Sequence, residues 1–144
     1  MKYSSILRWL IPAIGLLAMI AAGIGVFYET PGQPYAFTSL RGEVVQINGH
    51  GLYFYDTVSS AAQQQANDAV TLFLGLPLLV ISTLWAFRGS LRVHLLLTGT
   101  LGFFLYTYLS MVMLTAFNAL FLVYVALFTR SEEHTSELQS LTNL

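Results

Sequence analysis

The chain has three histidines and no cysteine, so imidazole chemistry, whether proton transfer or metal ligation, would centre on His50, His94 or His134. His94 follows Arg88-Gly89-Ser90-Leu91-Arg92, and an imidazole beside two guanidinium groups could sense protons or hold an anion. One imidazole without a carboxylate or a second ligand makes neither a proton relay nor a metal site. His94 is therefore expected to be an interfacial polar residue. His50 follows Asn48-Gly49 and reads as a solvated turn residue, while His134 and Glu137 imitate a metal-ligand spacing. The chain carries no Walker loop, dinucleotide-binding glycine pattern, HExxH or credible Ser-His-Asp set. No catalytic, cofactor-binding or metal-ligating residue is expected, and no cofactor. Absence of cysteine also excludes disulfides, thiolate catalysis and cysteine-ligated metal or iron–sulfur sites within these 144 residues.

The elements that would have to position such residues are set by composition. The chain is 56% hydrophobic and 9% charged, with a mean hydropathy of +0.66, well outside soluble usage. Its apolar residues are gathered into runs long enough to cross a hydrocarbon layer, which takes about 20 residues. The net charge is −1, and no cluster of Lys and Arg is present of the kind that displaces counterions from a nucleic acid. A nucleic-acid partner is excluded on that ground.

From Ile6 to Tyr28 the only charge is Arg8, and a helix of that length reaches about 34 Å, enough to span the bilayer with some tilt. A cleaved signal peptide is the rival reading, since Lys2 and Arg8 make a positive start and Ala21-Ala22-Gly23 supplies small residues. The apolar run outlasts a signal core of about 7 to 15 residues and continues past the cleavage point. A second span is expected over Ala69 to Phe87, ending at the basic turn. The third run, Val93 to Phe128, would measure about 54 Å as one helix and must fold back. Its expected break lies between Met113 and Asn118, giving a third span and an incomplete fourth.

Lys and Arg accumulate on the cytoplasmic side of membrane proteins. Lys2 and Arg8 precede the first span, Arg88 and Arg92 follow the second, and Arg41 alone lies between. These four topology determinants place the amino terminus and the RGSLR turn in the cytoplasm. Trp9, Tyr28 and Trp85 then fall at span ends, as interfacial aromatic anchors. The fold class is an all-α transmembrane bundle of about four spans, the last truncated, with a small extracytoplasmic β-hairpin. Residues 1–28 hold the cytoplasmic end and first span, 29–68 the external loop, 69–87 the second span, 88–92 the cytoplasmic turn, and 93–129 the third span and partial fourth.

Within the external segment, β-branched and aromatic residues flank Asn48-Gly49, a strong hairpin signal. A two-residue turn there pairs Val45 with Leu52, Glu43 with Phe54 and Arg41 with Asp56. That register is preferred because a four-residue turn would oppose Glu43 to Asp56, and like charges resist pairing. After it, SSAAQQQAND suits a short surface helix capped by Ser59, with Asn67 or Asp68 capping the second span.

No ionisable residue is expected deep in a span, so the sequence shows no transport pathway. Asn118 is the candidate intramembrane polar contact, most simply an interhelical hydrogen bond. Ala18 with Ala22, Ala21 with Gly25, and Thr98 with Gly102 are spaced for close helix packing. Pro12 and Pro77 can kink their helices. The aromatic group Phe103, Phe104, Tyr106 and Tyr108 could form a lipid or quinone site, but packing accounts for it.

Two resemblances bear on the whole. The run RSEEHTSELQS, Arg130 to Ser140, is similar to the conceptual translation of a short-read sequencing adapter. It implies that residues 130–144 are a non-native read-through tail and that the natural frame is cut near Thr129. His134 and Glu137 then drop out, and without the tail five basic and four acidic residues remain, a balance of +1. RGSLRVHLLLTGTLGFFLYTYLS followed by AFNALFLVYVALF resembles uncharacterised bacterial multi-span membrane proteins, over roughly Phe37 to Phe128. That likeness implies a bacterial cytoplasmic (inner) membrane and further spans, and lends no activity. The expected partners are the lipid bilayer and either another membrane protein or a second copy of the chain. The expected function is structural or interactive. A truncated transporter or permease subunit is the alternative, and a membrane enzyme with its active site in the missing part a weaker one.

Overall fold

A computed structural model describes residues 5–86 and 90–142, with side chains described over 9–86 and 90–132. Lys2 and Arg88 lie outside the described residues, as does the side chain of Arg8. The order is helix α1 (Ser5–Phe27), strands β1 (Tyr35–Thr38) and β2 (Val44–Ile47), and helices α2 (Val58–Ala86), α3 (Leu91–Leu114) and α4 (Phe121–Thr142).

Among the described residues three helices are long and apolar enough to cross a membrane: Trp9–Phe27, Val58–Ala86 and Leu91–Leu114. In the most apolar stretch of each, only 33%, 28% and 39% of residues are buried against protein. Leu16, Met19, Phe73, Leu74, Val80, Leu84, Leu95 and Tyr106 all face outward. An apolar surface so continuous is of the kind that marks contact with a membrane or with another protein. Helix α4 packs chiefly on α3 but reaches Arg130 and Glu132 within three turns.

The four helices meet around Ile14, Ala18, Ala21, Leu79, Leu97, Leu101, Phe104, Tyr108, Met111, Tyr124 and Leu127. Ala18, Ala21 and Ala22 are fully buried, so the small-residue stripe of α1 is a packing face. The pair Thr98 and Gly102 is not at such a contact, for a β-carbon on Gly102 would meet nothing within 4 Å. Phe104, Tyr108 and Tyr124 form a stacked column with centroid separations of 6.3 and 6.1 Å, which absorbs the buried part of the aromatic group into the core.

Helix α2 corrects the expected division between a surface helix and a separate span. It is continuous, with Thr57 rather than Ser59 as its cap: the Thr57 hydroxyl accepts from Ser60 N at 3.2 Å. Asn67 and Asp68 begin nothing. A π-helical turn, Thr71–Gly75, joins the two α-helical parts, with Leu76 N donating to Thr71 O. Pro77 follows directly, and its missing N–H and bulky ring disrupt the regular ladder, so a widened turn keeps the helix unbroken.

The hairpin exists, but not at the expected turn. Strands β1 and β2 pair antiparallel in the register Tyr35↔Ile47, Ala36↔Gln46, Phe37↔Val45 and Thr38↔Val44. The reversal runs through residues 39–43, where Gly42 has a φ of +81° and Ser39 N donates to Glu43 O at 2.8 Å. Arg41 is therefore an exposed turn residue and does not pair with Asp56, nor Val45 with Leu52. Asn48-Gly49 opens a second, wider loop that closes by the bridge Ile47↔Thr57. There the Asn48 amide donates to His50 O at 2.8 Å and Tyr53 O at 3.3 Å. Gly49 at φ +70° lies against Gln33 O.

The run Val93 to Phe128 breaks where its length requires. α3 ends at Leu114, and α4 starts at Phe121. Asn118 organises that start: its Oδ1 accepts from Leu120 N at 2.9 Å and its carbonyl from Phe121 N at 3.1 Å. Asn118 is thus a helix-initiating residue at the mouth of the bundle rather than an interhelical contact inside a span.

Candidate functional site

The loop, the end of α1, the π turn of α2, the end of α3 and the start of α4 converge at one end of the bundle, and polar side chains are buried there. Asp68, expected as a cap just before the second span, instead lies within the continuous helix α2 and is fully buried. The Tyr53 hydroxyl donates to Asp68 Oδ2 at 2.5 Å. Tyr53 is itself buried, delivered by the wide loop that Asn48 holds. Burial first, and the Asp68 charge second, push the Tyr53 phenol far above its ordinary range, so it remains a proton donor to that carboxyl.

Helix α1 admits this arrangement through Gly25. A β-carbon there would stand 1.7 Å from Asp68 Oδ2, so the carboxyl lies directly on the α1 backbone. Tyr108 from α3 and Tyr124 from α4 complete the wall, both fully buried and both near enough to Asp68 to feel its charge. Thr71 Oγ1, Tyr108 OH, Tyr124 OH and Asp68 Oδ1 are all buried without a hydrogen-bond partner among the described residues. The Asn118 amide and the Tyr53 hydroxyl lie beside the Tyr124 hydroxyl, yet neither reaches hydrogen-bonding geometry.

Asp56 is a second buried carboxylate on the loop side. Its Oδ1 accepts from Ala116 N at 2.9 Å and from the Ser60 hydroxyl at 3.4 Å. Burial raises the Asp56 carboxyl above its ordinary value, against the lowering effect of those two bonds.

The residues singled out by sequence are dispersed. Arg41 is exposed in the hairpin turn, and Arg92 is exposed on the first turn of α3. Asp56 and Asn118 border the polar cluster. His94 is buried, with Nδ1 2.9 Å from Ser90 O, and His50 is half-buried, with Nδ1 2.9 Å from Asn48 O. Each ring thus engages its own turn. Sequence reasoning names Asp68 only as a helix cap and Tyr108 only within an aromatic group, and passes over Tyr53 and Tyr124, because Asp68 ends a polar run that reads as solvent-exposed. The available signal was Asp68 three residues before Thr71, a polar pair on one helical face leading into an apolar run.

Among the described residues no group of three or more His, Cys, Asp or Glu is placed to hold a metal ion. No known protein family, curated protein or solved structure matches the chain.

Proposed function

We propose that this chain is an integral protein of a bacterial cytoplasmic membrane whose external loop, residues 29–57, is a pre-ordered interaction surface. Its amino terminus and residues 88–92 face the cytoplasm in this reading. The distribution of Lys2, Arg8, Arg88 and Arg92 against Arg41 alone supports that orientation.

One observation carries the functional reading: the loop is anchored from beneath and apolar above. A connector that only sealed helix ends would turn its apolar side chains inward. Here Tyr53 and Ile47 point in, while Tyr35, Phe37, Leu40, Val44 and Tyr55 remain exposed, Leu40 completely. The outward row of β1 has no strand beyond it among the described residues, leaving backbone groups free to pair with an incoming strand. Fixing the loop beforehand lowers the ordering cost of such an encounter. The partner is another membrane protein or a second copy of this chain.

A photo-crosslinking residue at Phe37, activated in native membranes, tests this reading. Discrete protein adducts, absent when the probe replaces the inward-facing Ile47, are expected. Adducts to lipid alone would contradict it. A truncated transporter subunit is the second reading, favoured by one feature, the carboxylate of Asp68 within a span-forming helix.

A further inference from the structure

We propose that Asp68, Thr71, Tyr108 and Tyr124 form a binding site for a single monovalent cation, a proton or an alkali ion, at the loop end of the bundle. Asp68 is the charged ligand and the three hydroxyls are the neutral ones.

The need for positive charge comes from the environment of Asp68. Asp68 is 0% exposed, and among the described residues its carboxyl receives a hydrogen bond from Tyr53 alone, whereas an ionised carboxylate has about four acceptor sites. Its titratable neighbours are phenols on every side: Tyr53 from the loop, Tyr108 from α3 and Tyr124 from α4, with Asp56 beyond Tyr124. Helix α1 contributes only the Gly25 backbone. No described Lys, Arg or His acts on the Asp68 carboxyl. An uncompensated buried carboxylate is strongly destabilising, so a positive charge supplied at Asp68 would stabilise the fold.

The ligand set decides which charge. Asp68 Oδ1, Thr71 Oγ1, Tyr108 OH and Tyr124 OH are four oxygens, all buried and all without a hydrogen-bond partner among the described residues. Hard oxygen donors suit a hard cation. A single carboxylate matches one positive charge, whereas divalent ions draw on several carboxylates or on waters and phosphates. Thr71 begins the π-helical turn, a distortion that recurs at functional sites and that sets its hydroxyl three residues beyond Asp68. The site is shallow. Gly25 lies two residues before the end of α1, and Tyr124 three after the start of α4, about one helical turn from the bundle mouth.

The test uses the full chain in lipid nanodiscs. Thermal unfolding is followed at fixed pH and ionic strength in sodium, potassium or choline chloride, and then from about pH 5 to about pH 8 in choline. An alkali-ion site raises Tm in sodium or potassium over choline, with saturation. The shift disappears in Asp68→Asn, and the apparent affinity falls about tenfold or more in Thr71→Val. A proton site gives no difference between the salts but a Tm that rises as pH falls, a slope absent in Asp68→Asn and displaced along the pH axis in Thr71→Val. Should Asp68→Asn fail to fold, the wild type against Thr71→Val and Tyr124→Phe makes the same comparison. Salt and pH responses that are identical in wild type and all variants overturn the proposal.

Discussion

The carboxylate of Asp56 accepts a hydrogen bond at 2.9 Å from the backbone N–H of Ala116, a residue sixty positions further along the chain. Asp56 closes the loop between α1 and α2, and Ala116 lies in the link between α3 and α4. The bond therefore fastens the two connections at one end of the bundle, with α2 and α3 lying between them in the chain.

Removing that carboxylate should loosen the loop. Asp56→Ala leaves the Ala116 N–H without its acceptor and is expected to cost about 1 to 3 kcal/mol. Asp56→Asn keeps an oxygen in place and should recover most of this. Denaturation in detergent micelles, with limited proteolysis of residues 29–57 as a local readout, checks both. Equal stability of wild type and Asp56→Ala would show that the bond holds nothing.

The same residue predicts a pH dependence. Burial raises the folded-state value of Asp56 above the ordinary 3.8, so the folded state binds the proton more tightly than the unfolded one. Its contribution is fully present below about pH 3.8 and is lost as pH rises through the higher folded value. Across that window the wild type should lose stability relative to Asp56→Asn. A difference that stays constant from about pH 3 to about pH 7 would contradict this.

The bond from Tyr53 to Asp68 couples loop to helix, and a double-mutant cycle measures it. Tyr53→Phe, Asp68→Asn and the double variant should show a coupling of about 0.5 to 3 kcal/mol. Additive effects would mean that loop and helix are held independently.

Two glycines separate backbone strain from steric exclusion. Gly42 and Gly49 both have positive φ, at +81° and +70°. A β-carbon on Gly42 meets nothing, whereas one on Gly49 would stand 2.3 Å from Gln33 O. Gly42→Ala should therefore cost about 1 to 2 kcal/mol for the left-handed conformation alone, and Gly49→Ala clearly more. Equal losses of Tm in the two variants would place the wide loop elsewhere than against Gln33.

Hydropathy made the helices legible, because the length of an apolar run decides whether it spans. The fold-back after Met113 follows from the same argument, for no bilayer accommodates a helix from Val93 to Phe128. The hairpin was legible as a presence and not as a register. Two glycine turns compete in it, Arg41-Gly42 and Asn48-Gly49, and the stronger local signal at Asn48 serves instead to shape the loop that delivers Tyr53. Asp68 was legible least of all. Its run of Gln, Asn and Asp reads as solvated, and its burial depends on Tyr53, Gly25, Tyr108 and Tyr124, which lie far off in sequence and meet it only after folding.

The central claim is that lipid surrounds these helices, with the hairpin on the outer side and residues 88–92 on the inner. These 144 residues include no cysteine, so single cysteines can be placed at Ser39 and Ser90 and labelled with a membrane-impermeant maleimide. On intact spheroplasts the cysteine at position 39 should react at once, and that at position 90 only after the membrane is opened. Reaction at position 90 before permeabilisation, or recovery of the labelled protein in the soluble fraction without detergent, would contradict the account.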